Sequence, residues 1–419
     1  MGHSSEGRLP IAALLDGPIA AIAAAPECPV FVAAARLRRM REGDKTLRFA
    51  SGWGKTWDEA EQGCVMEAAE RCSAQFFGDE PIRRARMAQI GAEAVAPPEL
   101  LLIDQRQYGE RAGWNRCHPG MNAIPAPWRA ACAIDWIAAD PKLSSDPAWL
   151  PAGMCLLGHD RNRRSGLPPA TSSGVAAGHT VEEAAVRAFL ELVERDAVAI
   201  WWYNRIPRPR ISIAALGEPL IAAYDEFSQA RRRSLVLHDL THDLGVPVVA
   251  AVAHDQSGGR ITLGFGAGTS LVQAARHAVG ELAQCEGNLV LIEWRVAAAG
   301  LRGLNPEAKA LLRWARTQRL SDHPHLVGTD VCKRARSPRC HILDLATCRQ
   351  ICRTRGLRFL ALDLTRAIIG VPVVRVVVPG LRASWARFAP GRLYDVPVEL
   401  GWRQRRSSLR ELNPIPLMF

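Results

Sequence analysis

The stretch GHTVEEAAVRAFLELVER, residues 178–195, decides the fold, because it joins the start of a helix to charged residues inside an apolar run. Thr180 is followed three residues later by Glu183, the capping-box spacing that begins α-helices. Further along, the helix contains Glu191, Glu194 and Arg195. Residues three and four apart lie on one helix face, so these side chains project together. Their neighbours are apolar, which predicts a largely buried helix whose carboxylates need arginines or cations as partners.

The same pattern occurs at two other places in the chain. Residues 54–71 read GKTWDEAEQGCVMEAAER, and residues 266–286 read GAGTSLVQAARHAVGELAQCE. Each copy has Ser or Thr as the cap, Glu or Gln three residues later, and two polar residues eleven and fourteen positions after the cap. These pairs are Glu67 with Glu70, which Arg71 follows, and Glu281 with Gln284. The repeat predicts three helices that begin alike and place polar groups at the same depth.

Three polar pairs in phase with their caps indicate one shared site. A single Glu-x-x-Glu-Arg is usually a solvated helix face with a weak internal ion pair. Several glutamates that converge with arginines can instead hold Mg²⁺ and the phosphates attached to it. The sequence contains no Walker-type phosphate loop. The pattern therefore favours a nucleotide and metal site that is built on helices.

A second repeat predicts strands. Residues 237–255 and 360–380 both contain Asp-Leu-Thr, a short connection, and then Gly-Val-Pro-Val-Val with an apolar, β-branched run. Such runs between turn signals are strands, and proline suits the start of a strand. Strands that alternate with capped helices predict a mixed α/β fold of repeated strand-and-helix units. No long linker divides the chain, so we expect one catalytic domain over residues 41–419 after an N-terminal arm of residues 1–40.

Length and composition argue against several classes of protein. With 419 residues, of which 48% are hydrophobic and 23% charged, the chain is predicted to be globular. It has no uncharged apolar run of about 18 residues, which argues against a membrane span. Prolines and Asp16 interrupt its apolar start, so a signal peptide is not expected. We therefore expect a cytoplasmic protein.

The eleven cysteines are predicted to be buried or incidental thiols of a reducing compartment. The densest group consists of Cys332, Cys340, Cys348 and Cys352. Structural zinc sites favour closely paired cysteines, and this spacing lacks two such pairs. A metal role is therefore not expected for these four.

The net charge of +11 comes from 53 basic and 42 acidic residues. The excess gathers in three short arginine clusters, within residues 161–164, 231–233 and 403–406. A basic surface attracts nucleic acid, acidic peptides or nucleotide phosphates. None of the clusters has the interleaved aromatic residues of a single-strand platform or the spacing of a zinc finger. Nucleic-acid binding is therefore not the favoured function.

At these motifs the sequence resembles the YcaO family, over residues 45–419. The motifs are GWGKTW, MEAAERCSA, ATSSGVAAGHTVEEAAVRAFLELVERDAVAIWWYNR, HDLTHDLGVPVVAA and GFGAGTSLVQAARHAVGELAQ. The stretch ERDAVAIWWYNRIPRP is most similar to the cyclodehydratase branch, which forms thiazolines and oxazolines in ribosomally made peptides. The resemblance implies a YcaO-type fold around an ATP site, with ATP and Mg²⁺ as cofactors. In the implied reaction a Cys, Ser or Thr side chain attacks the preceding amide, ATP phosphorylates the resulting hemiorthoamide oxygen, and phosphate leaves.

The resemblance also assigns residues by position. It implies that magnesium and nucleotide are held by four glutamates: Glu67, Glu70, Glu191 and Glu194. Six further residues are implied to bind the nucleotide: Lys55, Arg71, Ser172, Arg195, Glu281 and Gln284. The sequence departs from the family pattern at Gly63, where serine is usual, and at Ser173, where asparagine is common.

The chain ends in NPIPLMF, residues 413–419. Cyclodehydratases of this branch often end in Pro-x-Pro-x-Pro, which places the C-terminus in the active site. The resemblance therefore implies an active-site role for Pro414, Pro416 and Phe419, with Met418 in place of the third proline. Because prolines stiffen an extended segment, a tail of residues 411–419 suits insertion into a pocket.

The resemblance further implies partners. Nothing in the sequence resembles the ubiquitin-activating-enzyme-like domain that often binds the leader peptide in this family. We therefore expect a precursor peptide as substrate and a separate leader-binding partner protein. A flavin-dependent azoline dehydrogenase is a further candidate partner, and a homodimer is compatible with the sequence.

Two alternatives remain open from the sequence. One is an enzyme of the same family that uses sulfide or an amine to form a backbone thioamide or amidine. The other is a basic nucleic-acid-binding or scaffold protein whose glutamates are structural, which would bind nucleic acid in a salt-sensitive way and need no Mg-ATP. Ring formation loses water, whereas thioamide formation exchanges oxygen for sulfur, so mass spectrometry separates the enzymatic functions.

Overall fold

The computed structural model describes residues 11–22, 25–38, 48–118, 120–159, 161, 165–332 and 343–417. The strands are β1 (Ala20–Ala21), β2 (Phe31–Arg36), β3 (Phe49–Gly54), β4 (Ile82–Ala85), β5 (Ile134–Ala138), β6 (Trp149–Pro151), β7 (Val175–Ala177), β8 (Pro209–Ile211), β9 (Arg233–Asp239), β10 (Val248–Asp255), β11 (Thr262–Ala267), β12 (Thr329–Cys332), β13 (Leu360–Asp363) and β14 (Val373–Val377). The α-helices are α1 (Trp57–Ser73), α2 (Met87–Ile90), α3 (Pro97–Leu101), α4 (Gln105–Cys117), α5 (Ala152–Cys155), α6 (Val181–Asn204), α7 (Ile213–Leu216), α8 (Pro219–Ala230), α9 (Leu271–Ala299), α10 (Pro306–Thr317), α11 (Leu345–Thr354) and α12 (Arg392–Glu399). The prediction of a mixed α/β fold is confirmed.

The three helices with polar pairs, α1, α6 and α9, begin as the sequence predicts. The side-chain oxygens of Thr56, Thr180 and Ser270 accept the backbone N–H three residues later, at 3.3, 3.1 and 3.2 Å. The Glu or Gln three residues after each cap accepts the N–H of the residue before the cap, at 2.8, 3.0 and 2.9 Å. Both bonds satisfy N–H groups that have no partner inside the helix. Because the three helices begin in the same way, their polar pairs lie at the same distance from the helix start.

Each of these helices follows the edge strand of a three-stranded antiparallel layer. β1-β2-β3 is the first layer and leads into α1. The second is β13-β14-β7, where β7 leads into α6, and the third is β9-β10-β11, which leads into α9 and continues through β8 to β12 in a five-stranded sheet. The second layer therefore takes its helix from the middle of the chain and two strands from near the end.

The three layers and three helices alternate around a ring. Helix α1 packs on β3 and also meets β7, α6 packs on β7 and β14 and also meets β11, and α9 packs on β11 and also meets β3. Each helix thus lies between its own layer and the next one. This arrangement brings the polar pairs of all three helices, which lie at equal depth, towards one centre.

Glycines in the strands allow the helices to lie directly on the strand backbone. A Cβ on Gly52 of β3 would be 2.2 Å from the Ala60 carbonyl oxygen of α1. A Cβ on Gly264 of β11 would be 2.2 Å from the Ala278 carbonyl oxygen of α9. Both distances are far below van der Waals contact, so only glycine fits.

The predicted strand repeat is also confirmed, down to its turn. Strands β9 and β10 pair antiparallel, as do β13 and β14. In both turns an aspartate caps the loop: Asp239 accepts the Thr241 N–H at 2.9 Å and Asp363 accepts the Thr365 N–H at 2.8 Å. The two threonine hydroxyls in turn accept the N–H of the following strand, at 3.3 and 3.1 Å. Asp-Leu-Thr is therefore an Asx-turn that sets the strand pairing.

The N-terminal segment forms part of this ring, and a further sheet lies outside its three layers. The N-terminal segment up to residue 40, which the sequence suggests is an arm, supplies β1 and β2, and β2 pairs with β3 from Phe31 to Arg36. Strands β4-β5-β6 form a separate antiparallel sheet. Among the described residues, no helix combines the length and the apolar character that crossing a membrane requires.

Candidate nucleotide and metal site

The polar pair of α1 lies beside β3 and β7. Glu67 Oε2 accepts the Ser51 backbone N–H at 2.6 Å, and Glu67 Oε1 lies 2.5 Å from Nη2 of Arg71. Glu70 lies one turn further along the helix. Burial, together with the charges of Glu191 and Glu67, raises the pKa of Glu70 well above its usual value, although Arg71 and an Ala177 backbone hydrogen bond oppose the rise.

The polar pair of α6 occupies the equivalent place beside β7 and β11. Glu191 Oε2 accepts the Gly174 backbone N–H at 3.1 Å, and Arg195 Nη2 lies 3.4 Å from Glu191 Oε1. Glu194 is buried, with 6% of its surface exposed. Burial and the charges of Glu281 and Glu191 raise its pKa well above the usual value, against the opposing charge of Arg195 and an Ala267 backbone hydrogen bond.

Helix α9 contributes Glu281 to the same cluster. Burial and the charge of Glu191 raise the pKa of Glu281 to about 7, although Arg195 opposes the rise. Burial by itself would lower the pKa of Arg195, but the carboxylates of Glu194, Glu191 and Glu281 raise it. Five glutamates and two arginines from three helices thus act on one another, as the repeat predicts.

The acidic cluster, Glu67, Glu70, Glu191, Glu194 and Glu281, fits a divalent cation by its chemistry. Carboxylate oxygens are the ligands that Mg²⁺ prefers. Glu194 Oε1 is buried and accepts no hydrogen bond from the described residues, and Arg195 Nη1 lies 3.9 Å from it. Burial, together with repulsion among the glutamates, raises the pKa values of Glu70, Glu194 and Glu281, so a bound cation would stabilise their charged forms. Within the described ranges, however, no three acidic, His or Cys side chains are already arranged around a metal position.

The structure does not bring every implied nucleotide residue to this cluster. Lys55 lies before α1, and its Nζ is 3.4 Å from Glu218, which also binds Arg276. Ser172 lies in the loop before β7, next to the Gly174 N–H that binds Glu191. Gln284 lies one turn after Glu281 in α9. The roles of Lys55, Ser172 and Gln284 stay predictions.

The tail packs along the C-terminal end of α6. The Asn413 N–H donates to the Tyr203 carbonyl at 2.7 Å, and the Trp202 indole N–H donates to the Ile415 carbonyl at 2.8 Å. Pro414 is exposed and Pro416 is buried. Trp202 lies eight residues after Glu194, about 12 Å along the helix, and Phe419 is outside the described residues. An active-site role for the tail stays a prediction.

A buried ionic network that the sequence analysis did not identify holds the C-terminal part of the chain on α6. Asp196 follows Arg195 and is fully buried. Its Oδ2 lies 2.6 Å from Nη2 of Arg392 and 3.0 Å from Nε2 of His242, and its Oδ1 accepts the Arg382 N–H at 2.8 Å. Burial would raise the pKa of Asp196, but Arg392 and His242 hold it well below its usual range. Arg392 also binds Asp243 at 2.8 and 3.0 Å, so the network joins three segments.

The arginine cluster within residues 403–406 serves the fold. Arg405 binds Glu411 through two contacts of 2.6 and 3.0 Å, Arg406 binds Asp395 at 2.7 Å, and Arg403 donates to the Asn204 carbonyl. These arginines hold the segment before the tail and do not form a free basic surface.

The cysteine group predicted to lack a metal role is only partly described. Cys348 and Cys352 are fully buried thiols one turn apart on α11 and form no disulfide. Burial raises the pKa of Cys352 to about 12, which disfavours the thiolate that binds metals. Cys340 and the side chain of Cys332 lie outside the described residues.

An acidic cluster with flanking arginines, at the centre of an α/β ring, defines an enzyme that binds a metal-bound nucleotide. Residues 51–382 match the family model described as YcaO cyclodehydratase, ATP- and Mg²⁺-binding. The chain belongs to the YcaO family, and the resemblance noted in the sequence is confirmed.

Solved structures agree with this assignment. The chain is similar to a heterocyclase solved in complex with substrate and cofactor, with 34% identity and a TM-score of 0.85 over 96% of this chain. It is also similar to the heterocyclase TruD, with 35% identity and a TM-score of 0.74 over 85% of this chain. It spans 55% and 50% of those two chains, about half their length. The YcaO protein of Methanopyrus kandleri, bound with AMPPCP and Mg²⁺, has the same fold, with 20% identity and a TM-score of 0.60 over 90% of this chain and 92% of that one.

Proposed function

We propose that this chain is the catalytic part of an ATP-dependent cyclodehydratase that converts Cys, Ser or Thr residues of a ribosomally made precursor peptide to thiazolines or oxazolines. The observation that carries the proposal is the meeting of three helical polar motifs at one centre, in a chain about one-third identical to two solved heterocyclases. In that role ATP supplies the phosphoryl group that turns the amide oxygen into a leaving group.

In this proposal the acidic residues bind the metal of Mg-ATP and the basic residues bind its phosphates. Glu67, Glu70, Glu191 and Glu194 would hold Mg²⁺, since they are hard oxygen ligands. Arg71 and Arg195 sit one turn after Glu67 and Glu191 and would bind phosphate oxygens. A protonated carboxyl must lose its proton before it binds a cation, so Mg²⁺ binding would release protons from the groups with raised pKa values.

The tail would complete the peptide side of the site. Its two prolines, Pro414 and Pro416, keep the segment extended, and its contacts with Trp202 and Tyr203 fix where it leaves α6. We propose that the terminal residues, ending at Phe419, reach the reacting amide from there.

We propose that a partner protein takes part in recognition of the peptide. About half of each solved heterocyclase lies outside the part that this chain matches. We propose a separate leader-binding partner of the ubiquitin-activating-enzyme-like type, with both proteins in the cytoplasm, and a flavin-dependent dehydrogenase as a further partner where azolines are oxidised. An acidic leader peptide would complement the net charge of +11.

Reconstitution tests the proposal. The purified chain is combined with Mg-ATP, a Cys-, Ser- and Thr-containing precursor peptide and a leader-binding partner protein, and the mass of the peptide is then measured by mass spectrometry. We expect the peptide to lose one water for each ATP consumed, and Glu191→Gln to abolish the loss. A gain of sulfur in place of oxygen would support the thioamide alternative, and an unmodified peptide with no use of ATP would contradict the proposal.

A further inference from the structure

Strand β14 contains a buried arginine that the proposed chemistry does not use. Arg375 lies in the middle of this strand, which pairs with β13 on one side and β7 on the other. Only 3% of its surface is exposed, and its neighbours in the strand are valines. A buried charge among apolar residues costs free energy unless it is paired. Arg375 therefore needs hydrogen-bond partners that offset the free-energy cost of its burial.

Those partners belong to the loop that enters β7. Arg375 Nη1 donates to the Ser173 carbonyl at 3.2 Å, and Nη2 donates to the Thr171 carbonyl. The remaining nitrogen, Nε, is buried and makes no hydrogen bond with the described residues. One planar guanidinium thus binds two carbonyls of the same loop, which a single point charge could not do in the same geometry.

The next residue of this loop touches the acidic cluster. The Gly174 N–H donates to Glu191 at 3.1 Å, and the Gly174 carbonyl accepts the Val376 N–H at 2.7 Å. Gly174 has a φ of 75°, and a Cβ there would lie 2.6 Å from the Val376 carbonyl oxygen. The side chain of Arg375 and the backbone of Val376, both in β14, therefore hold the loop. The Gly174 N–H at the end of the loop binds the carboxylate of Glu191.

We propose that Arg375 is a positioning residue that fixes the Thr171–Gly174 loop on Glu191, so that one wall of the nucleotide site is formed before Mg-ATP binds. The inference rests on the proposed function only in taking Mg-ATP as the ligand of that site. Arg375 acts through the loop backbone: it sets where the Gly174 N–H and the Ser172 side chain lie relative to Glu191.

The chain offers a matched control. Arg382 is equally buried, at 3% exposed, and its Nη2 likewise donates to two backbone carbonyls, those of Ala389 and Pro390. Its carbonyl partners precede α12 rather than β7. A lysine at residue 375 keeps the charge but loses the geometry in which two nitrogens bind two carbonyls, whereas at residue 382 one nitrogen makes both contacts. Arg382→Lys therefore controls for the burial and charge of the arginine, and an effect that only Arg375→Lys shows belongs to the loop beside Glu191.

The first test measures Mg-ATP binding by calorimetry and thermal unfolding for both variants. Arg375→Lys is expected to weaken Mg-ATP binding by about tenfold to a hundredfold, the range typical of substitutions at residues that orient metal ligands. Arg382→Lys is expected to stay within about twofold of the wild type, although both lose stability. Equal weakening in both variants, or unchanged binding in Arg375→Lys, would overturn the proposal.

The second test needs neither a variant nor a nucleotide. Amide hydrogen exchange is measured on the wild-type chain, and the Gly174 amide is expected to exchange slowly before Mg-ATP is added. Rapid exchange there would show that the wall is not preformed, and would overturn the proposal even if Arg375→Lys does not fold. A wild-type chain that binds Mg-ATP, with Arg375→Lys impaired, but forms no azoline would contradict the proposed function and leave this inference standing.

Discussion

Replacing Gly280 by alanine is expected to separate α9 from β3 and to weaken the site that both elements support. A Cβ at residue 280 would lie 2.1 Å from Cδ2 and 2.2 Å from Cε2 of Trp53. Carbon atoms in contact are about 3.5–4.0 Å apart, so the helix or the indole must move by more than about 1 Å. The indole of Trp53 in β3 is a rigid ring, and the His277 ring also lies near it, with 5.8 Å between the ring centroids. Most of the displacement is therefore expected in α9.

The magnitude follows from two opposing effects. Overpacking costs about 3 kcal/mol at the upper end of its range, which the size of this overlap warrants. Alanine in place of glycine inside a helix returns about 1 kcal/mol. We expect Gly280→Ala to lower the free energy of unfolding by about 2 kcal/mol, the difference of these two. Because Glu281 is the next residue, a shift of about 1 Å is expected to reduce turnover by up to about a hundredfold.

Urea unfolding measures the loss of stability, the rate of ATP-dependent ring formation measures the loss of turnover, and Mg-ATP calorimetry shows whether affinity is lost as well. Helix α9 also supplies a control. A Cβ at Gly287 would lie 2.9 Å from the Cγ2 methyl and 3.4 Å from the carbonyl oxygen of Ile22, a smaller overlap than the one at residue 280. Gly287→Ala should therefore lower stability and turnover less than Gly280→Ala does. Adding Trp53→Leu to Gly280→Ala should recover part of the lost Mg-ATP affinity. If Gly280→Ala behaves like Gly287→Ala, the reasoning that Trp53 holds α9 in place is refuted.

Three further predictions concern the site, a buried histidine and the tail. Glu191→Gln is expected to weaken Mg-ATP binding by at least about tenfold in calorimetry, whereas Glu182→Gln, at an exposed position of the same helix, should bind as the wild type does. Burial lowers the pKa of His325 to about 3, so the unfolded chain binds its proton first and stability is lost as pH falls below about 6.5. Relative to pH 7, His325→Leu should therefore lose about 2 kcal/mol less than the wild type in urea unfolding at pH 5, and equal losses would contradict this. Trp202→Phe removes the indole donor to Ile415 and should lower kcat for ring formation with Mg-ATP affinity unchanged; a parallel loss of affinity would contradict a role confined to the tail.

The three capped helices could be predicted because their signals are local. A cap, its partner three residues later and the polar pair all lie within fifteen residues, and helix geometry turns that spacing into a shared face. The Asp-Leu-Thr strands are equally local, since the turn and the strand start are adjacent in the chain. Local spacing was therefore enough to predict these three helices, the strands of the Asp-Leu-Thr repeat and the residues that form the acidic cluster.

The closure of the ring could not be predicted in this way. It depends on contacts such as Trp53 against Gly280, which join residues more than two hundred positions apart. The sequence marks Arg375 only as a lone arginine in an apolar strand. A lone arginine is equally typical of a strand end, so the pattern does not identify a buried residue. For Lys55 the sequence did give a signal, because this residue lies next to a motif and was expected to bind the nucleotide. Its partner in the structure is Glu218, so that role stays a prediction.

The order of the layers along the chain has a consequence for how the enzyme is made. The layer of α6 takes β13 and β14 from far downstream, so the ring is not a series of units that close one after another during synthesis. On the ribosome, α1, α6 and α9 emerge while the strands that complete the middle layer are still missing. The nascent chain therefore carries its acidic helices in an open, incomplete assembly until Val373–Val377 has left the exit tunnel. A chain broken off before β14 would contain α1, α6 and α9 but lack the middle layer of the ring and Arg375, so a complete site is expected only near the end of translation.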